Sequence, residues 1–389
     1  MQPSRAAPKE AARPIYLDNA ATTCTDGRVA SLIHEMLCEE YGNPSSLHNM
    51  GLRAERRVVA ARRQVASLAG CREEEVCFTS GATEANNLAL IGAARAKARR
   101  GRRIVTSQIE HASVLSALDS LAADGFDIVK IPPRSDGTVD PEAFAEAVDE
   151  GTVLASCMLV NNETGALCDV ADIAGRCKAK NPQLLFHCDG VQALGKVSFS
   201  FKKLPVDLMS FSGHKLFAPK GIGALVVKKG VRLLPLLYGG KQQGGLRPGT
   251  ENTAYIAGMG LACELARQEF SARLAQMERL HDHLLKKIAE TPQLCSNSPL
   301  KCAPNIVNLS VPGIRSETML HFLEGRGIYV SSASACTKGA KSHVLAAMGL
   351  PDRLVDSALR LSFSPDITEE DLDLTIAALC EGASSLARA

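Results

Sequence analysis

The segment Leu208-Met209-Ser210-Phe211-Ser212-Gly213-His214-Lys215 reads as a buried apolar strand that runs into small polar residues and then presents a lysine. An ammonium at the end of a core strand is costly unless it is paired or put to use. Its chemical use is condensation with a carbonyl cofactor, of which pyridoxal phosphate is the commonest. The plainer alternative is a solvated lysine, one of 44 Lys+Arg in the chain. Asp189 closes another strand-like run, Leu184 to Cys188. A carboxylate there could hold a protonated pyridine nitrogen, or it could cap a turn. His111, in Gln108-Ile109-Glu110-His111-Ala112, could stack on a ring or shuttle a proton, or lie on the surface at a helix start. In Thr79-Ser80-Gly81-Ala82-Thr83-Glu84 a strand passes into a helix. The N–H groups of that turn and the Thr83 hydroxyl suit an anion, although an ordinary helix cap uses the same residues.

Two further groups lie near the C-terminus. Cys336 sits in Ser331-Ser332-Ala333-Ser334-Ala335-Cys336-Thr337-Lys338-Gly339-Ala340-Lys341, among small residues and beside two lysines. That setting suits an exposed thiol of lowered pKa, whereas Cys77, Cys157, Cys188 and Cys380 lie in apolar or helical runs and read as packed small hydrophobes. Arg360 interrupts the apolar run Ala358-Leu359-Arg360-Leu361-Ser362. A guanidinium there wants a carboxylate, either of a substrate or of an internal ion pair.

The elements that position these groups follow from periodicity. Strands are expected at 75–79, 103–106, 126–131, 153–160, 184–188, 207–211 and 222–227, with helices at 84–100, 113–123, 141–148 and 170–179 between most of them. Such alternation predicts an α/β fold with a mostly parallel central sheet and helices on both faces. Ligands bind such sheets beyond the carboxyl ends of the strands. Asp189, Lys215, His111 and the Thr79–Glu84 turn all follow strands, so they converge on one rim. After Tyr238 a Gly-rich stretch leads to a long helical run over 253–289 and then to strands at 305–310 and 327–330. Helices are expected near 318–323, 343–347, 353–358 and 369–380. This organisation predicts a large domain over 14–255, a smaller α+β domain over 256–389 that carries Cys336, and an N-terminal tail over 1–13.

Composition narrows the setting. A formal net charge of +2 gives no argument for direct nucleic-acid binding, and no run of 18 apolar residues predicts a membrane span. Thirteen cysteines without any CxxC pair suit a reducing, cytoplasmic compartment. Cys and His nowhere cluster at metal-ligand spacing, so no metal is expected. The absence of GxxxxGK[ST] excludes a nucleotide P-loop.

Taken in chain order, the segments YLDNAATT (16–23), YGNPSS (41–46), FTSGATEANNLA (78–89), EHASV (110–114), VNNETG (160–165), HCDGVQ (187–192), SFSGHK (210–215), PKGIGAL (219–225), the Gly-rich run ending RPGT (239–250), SSASAC (331–336) and ALRLS (358–362) form a specific set. The set resembles the cysteine desulfurases of the NifS/IscS type, in aminotransferase class V of the fold-type I pyridoxal-phosphate enzymes. The resemblance implies catalytic roles for Lys215, Cys336 and His111. Lys215 would hold pyridoxal 5'-phosphate and move the substrate α-proton, and His111 would stack on the ring. Asp189 would pair with the ring nitrogen, and Asn162 and Gln192 would meet its substituents. Ala82, Thr83, Ser212 and His214 would bind around the phosphate, with Thr250 reaching over from the other subunit of a homodimer. Arg360 and Asn43 would bind the substrate, Arg360 through its carboxylate. Cys336 would take the sulfur of L-cysteine as a persulfide, leaving L-alanine. A sulfur-acceptor protein, either an iron–sulfur scaffold or a tRNA-thiolation enzyme, would receive it. A selenocysteine lyase is the alternative with the same site.

Three departures from the family pattern stand out. Pro248 occupies a place where a small residue is usual before Gly-Thr, and Ser364-Pro365 follows the arginine strand in place of a Gly-Arg-like continuation. The loop from Cys336 to Ser342 is intermediate in length between the IscS and SufS groups, which leaves the acceptor open.

Overall fold

The computed structural model of the chain describes residues 13–332 and 341–386. Cys336 and all but the last residue of the expected tail lie outside the described residues. Arg13 is described, and its guanidinium pairs with Asp371 at 2.5 Å.

Seven strands form the main sheet, in the order Val76–Thr79, Gly223–Val227, Leu208–Ser212, Leu185–Asp189, Thr152–Ser156, Arg103–Ser107, Asp127–Ile131. Gly223–Val227 runs antiparallel to both of its neighbours, and the remaining pairs are parallel. Successive residues of each strand face opposite sides, and both sides are buried in the central strands, whereas the edge strand Asp127–Ile131 is largely open. Leu185, Leu208 and Leu225 join one apolar cluster with the helix Ala82–Lys97. Phe186, Met209 and Val226 join the other, beneath the helices Asn49–Ala69 and Thr253–Gln268. This double burial accounts for the apolar runs that mark these strands in the sequence. The helix Asn49–Ala69 stops at Gly70, whose φ of 68° favours glycine and where a Cβ would meet Ser200 Oγ at 2.4 Å.

A second, four-stranded antiparallel sheet has the order Ser331–Ser332, Ala358–Ser362, Ile306–Ser310, Cys295–Ser296. Its core takes Leu359 and Leu361, residues of the helices Phe270–Ala289 and Glu369–Ser385, and also Ile15 and Leu17 from the start of the chain. The strand Ile15–Tyr16 pairs in parallel with Ile328–Tyr329. Ile15 and Leu17 are therefore built into the smaller core, while Thr253–Gln268 packs in the larger one.

Two elements differ from the expected ones. The helical run over 253–289 divides at Glu269, whose φ of −96° and ψ of 5° end one helix and begin the next. Glu269 is held there by Arg28 at 3.2 Å and Arg273 at 2.6 Å, so the two halves serve different cores. The strand expected over 153–160 ends at Ser156, because the Met158 N–H turns inward to Glu110 Oε1 at 2.9 Å. Among the described residues no helix is long and apolar enough to cross a membrane.

Candidate active site

A cavity of about 650 Å³ lies at the carboxyl ends of the parallel strands, closed on one side by Ser331 and Arg360 of the smaller sheet. Lys215, His111, Asp189, Gln192, Asn162, Ala82, Thr83, Ser212, His214 and Arg360 all line it. Asn43 and Thr250 do not line it, and Cys336 lies outside the described residues.

Lys215 ends a short 3-10 turn, Gly213–Lys215, directly after the strand Leu208–Ser212. Its Nζ donates to the carbonyls of Ala20 at 2.7 Å and Ala21 at 2.6 Å. Two residues on, Phe217 has a φ of 60°, a strained value for a non-glycine residue. Thr23 Oγ1 accepts its N–H at 2.8 Å, which fixes the path of the chain behind the lysine. The turn Asp18–Thr23 thus forms a wall of the lysine's pocket.

Asp189 is 5% exposed. Its carboxylate accepts from Asn86 Nδ2 at 2.9 Å and from the Val191 N–H at 3.0 Å. His111 caps the helix Ala112–Ala123, and its Nδ1 accepts the Ser113 N–H at 3.1 Å. Burial first, and then Lys215 and His343, press the His111 pKa below its ordinary value against the pull of Asp189. Burial, with Lys215, Lys220 and Lys196 near, brings His214 down to about 4. Gln192 donates through Nε2 to the Ala20 carbonyl at 2.9 Å and accepts from Lys196 at 2.8 Å. Beneath this layer, Glu110 accepts from Ser107 at 2.6 Å, and burial raises its carboxyl to about 8.

Arg360 joins both alternatives left open by its sequence context. Its Nη2 pairs with Asp18 at 2.8 Å and its Nη1 donates to the Asn162 carbonyl at 2.9 Å. Its Nε is buried without a partner, although the side chain faces the cavity.

The donor set suits pyridoxal phosphate on chemical grounds. A buried carboxylate with two N–H donors and, among the described residues, no cationic partner matches a protonated ring nitrogen. The start of the helix Ala82–Lys97 has no side-chain cap, and with Thr83, Ser212 and His214 it gives an end of the cavity suited to a phosphate. Gly223 lets the backbone pack closely there, since a Cβ would meet the Phe211 carbonyl at 2.6 Å and Gly81 at 2.7 Å.

Sequence reasoning assigned no role to Asp18, Asn86, Ser113 or Lys196. Asn86 follows Thr83 by one helical turn, so helical spacing from the phosphate-end residue could have found it. The partner of Asp18, Arg360, lies 342 positions away, so no local signal marks it, whereas Lys196 follows its acceptor Gln192 by four residues.

The comparisons with known proteins agree with this geometry. A family described as aminotransferase class-V matches residues 15–375. The chain is 40% identical over 371 residues to the cysteine desulfurase IscS of Serratia proteamaculans, covering 93% of this chain and 91% of that protein. A solved structure titled NifS-like protein superposes with a TM-score of 0.91 at 39% identity, covering 96% of this chain and all of that one. Another, titled SspA in complex with cysteine, has a TM-score of 0.79 at 30% identity and covers 90% of this chain and 99% of that one.

Proposed function

The chain belongs to the class-V aminotransferases, among their cysteine desulfurases, and on that premise we propose how its residues divide the work. The protein is a pyridoxal-phosphate enzyme that converts L-cysteine to L-alanine and moves the sulfur onto an enzyme cysteine. The observation that carries the residue assignments is the convergence on one cavity of Lys215, the buried Asp189 carboxylate and Arg360.

When bound, pyridoxal phosphate supplies a sink for the electron pair left at the substrate Cα. Asp189 holds the ring nitrogen protonated, which keeps that sink effective. Asn162 and Gln192 meet the ring substituents, and Ala82, Thr83, Ser212 and His214 bind around the phosphate. Arg360 holds the substrate carboxylate through its guanidinium, which lines the cavity. Lys215 takes the proton from Cα and gives it back there once the C–S bond has broken, so that alanine leaves with its α-hydrogen restored. The Cys336 thiolate attacks the substrate sulfur. An S–S bond forms on the enzyme as the C–S bond of the substrate breaks. The electron pair of that bond stays with carbon, which takes up a proton and becomes the methyl group of alanine. An acceptor protein, an iron–sulfur scaffold or a tRNA-thiolation enzyme of the cytoplasm, then receives the persulfide sulfur.

The functional unit is a homodimer in which Thr250 and Asn43 serve the partner's cavity. Both are exposed and stand away from the cavity of their own chain. Large exposed apolar side chains flank them, Tyr41 and Leu47 beside Asn43, and Leu237 and Tyr238 before the loop that carries Thr250. Exposed apolar side chains grouped in this way mark an interaction face.

The test is parallel measurement of sulfide or selenide and alanine from L-cysteine and L-selenocysteine, with reductant, on the loaded enzyme and on Cys336→Ala. Turnover of L-cysteine that vanishes in Cys336→Ala, with the cofactor retained, is the expected result. Turnover of selenocysteine alone would make the protein a selenocysteine lyase, and sulfide release from L-cysteine by Cys336→Ala would end the persulfide role.

A further inference from the structure

His111 makes hydrogen bonds through one ring nitrogen. Its Nδ1 accepts the backbone N–H of Ser113 at 3.1 Å and lies 2.8 Å from Ser113 Oγ. A backbone N–H can only donate, so Nδ1 carries a lone pair, and in a neutral ring the proton then sits on Nε2. Ser113 Oγ lies 2.8 Å from Asn86 Nδ2, and the same Nδ2 donates to Asp189 Oδ2 at 2.9 Å. The amide cannot be turned round, because its oxygen would then face the Asp189 carboxylate. Both Asn86 hydrogens are therefore committed, one to Asp189 and one to Ser113. Ser113 Oγ accepts from Asn86 and directs its own hydrogen to Nδ1. Asn86 is fully buried, and its Oδ1 has no partner. An orphaned buried acceptor is unfavourable, and here it accompanies a side chain held for its two donors.

We infer that Asn86 and Ser113 are positioning residues that hold His111 as a neutral imidazole with its proton on Nε2, so that it meets the cavity as a hydrogen-bond donor and not as a base. His111 lines the cavity, and among the described residues its Nε2 makes no hydrogen bond. Protonation would have to occur at Nδ1, where the Ser113 N–H already points. It would also reverse the bond to Ser113 Oγ and strand the hydroxyl hydrogen. The charged groups around the ring act in the same sense, apart from one. Lys215 and His343 oppose a second positive charge, as does the N-terminus of the helix that His111 caps, and Asp189 favours it. A neutral histidine at a helix start polarises a ligand atom by donation. Proton removal from the substrate is then left to Lys215, with His111 stabilising negative charge that develops opposite its Nε2.

This inference rests on the pyridoxal-phosphate reading for the identity of what occupies the cavity, and its test does not depend on turnover. The loaded enzyme, labelled with ¹⁵N-histidine, is titrated by NMR, with the His111 signal assigned by its loss in His111→Gln. The expected result is the Nε2–H tautomer with no protonation near neutral pH. In Ser113→Ala the ring should lose one bond that favours its neutral form, and its pKa should rise by about one unit. The acid limb of the kcat/KM profile should move with it. A ring protonated on Nδ1 in the wild-type enzyme overturns the inference, as does a Ser113→Ala enzyme with an unchanged titration. The wild-type measurement stands even where Ser113→Ala does not fold. Absence of desulfurase turnover alongside the expected tautomer would overturn the functional reading and leave this one standing.

Discussion

The floor and the lip of the cavity are made in opposite ways. The floor consists of Asp189, His111, Lys215 and Gln192, carried on strand ends and the turns that follow them, and each is held by two hydrogen bonds within the same chain. The residues assigned to the lip, Asn43 and Thr250, lie in exposed irregular segments and do not reach the cavity of their own chain. The loop of Thr250 is nonetheless anchored, by Arg247 to Glu84 at 2.9 Å and by Gln243 Oε1 to the Phe78 N–H at 3.0 Å. The difference teaches that the chemistry of the floor belongs to one sheet, whereas the lip, in the homodimer we propose, is completed by assembly.

The sharpest break of the floor is Lys215→Ala. It should abolish turnover by at least about 10⁴-fold, since both covalent attachment and proton transfer are lost, with alanine release as the readout. The lip is tested by mixing two inactive proteins. Thr250→Glu places a carboxylate against the phosphate of the partner's site, and on its own it should empty both sites of a dimer. Co-assembled with Lys215→Ala at equal amounts, it should recover about one quarter of the wild-type rate, one working site in every second dimer. No recovery would place Thr250 within its own chain's site.

Arg360 stands between floor and lip. Arg360→Gln should raise KM for L-cysteine by roughly 10- to 100-fold, the loss of a charged hydrogen bond worth about 1.5–3 kcal/mol, with kcat less affected. A fall in kcat alone would assign Arg360 to structure through Asp18. The last test leaves turnover aside and concerns Glu110, beneath the floor. Its folded pKa of about 8 lies above the unfolded value of about 4.3, so the folded state binds the extra proton between these limits. Stability is therefore fully present below about pH 4.3 and falls as pH rises toward about 8, by up to about 1.4 kcal/mol per unit. Glu110→Gln mimics the neutral acid. It should flatten this slope and gain stability relative to wild type above about pH 7, read from urea unfolding at several pH values.

Much of the floor was legible because it obeys local rules. Leu208 to Phe211 and Leu184 to Cys188 announce buried strands by mostly apolar residues, broken only by Ser210 and His187, and polar residues that line the cavity follow each run. Lys215 and Asp189 could be found in this way without knowing their neighbours. The capping role of His111 was less evident, because any residue at that place can cap a helix. The division of 253–289 at Glu269 was hidden, since helical propensity continues through it and only the ion pairs to Arg28 and Arg273 mark the break. The antiparallel direction of Gly223–Val227 was hidden as well, because strand periodicity carries no sense of direction.

By itself, then, the order of residues determined the alternation of elements, the strand ends that bear chemistry and the family to which they point, because these follow from periods of 2 and 3.6 residues and from motifs a few residues long. What only the tertiary structure decided is which groups answer one another. Asn86 and Asp189 are separated by 103 positions and Arg360 and Asp18 by 342, yet each pair meets within 2.9 Å. The tautomer of His111 follows from that first meeting. Such pairings depend on the register of the sheet and on the docking of the smaller core, and neither leaves a local trace in the chain.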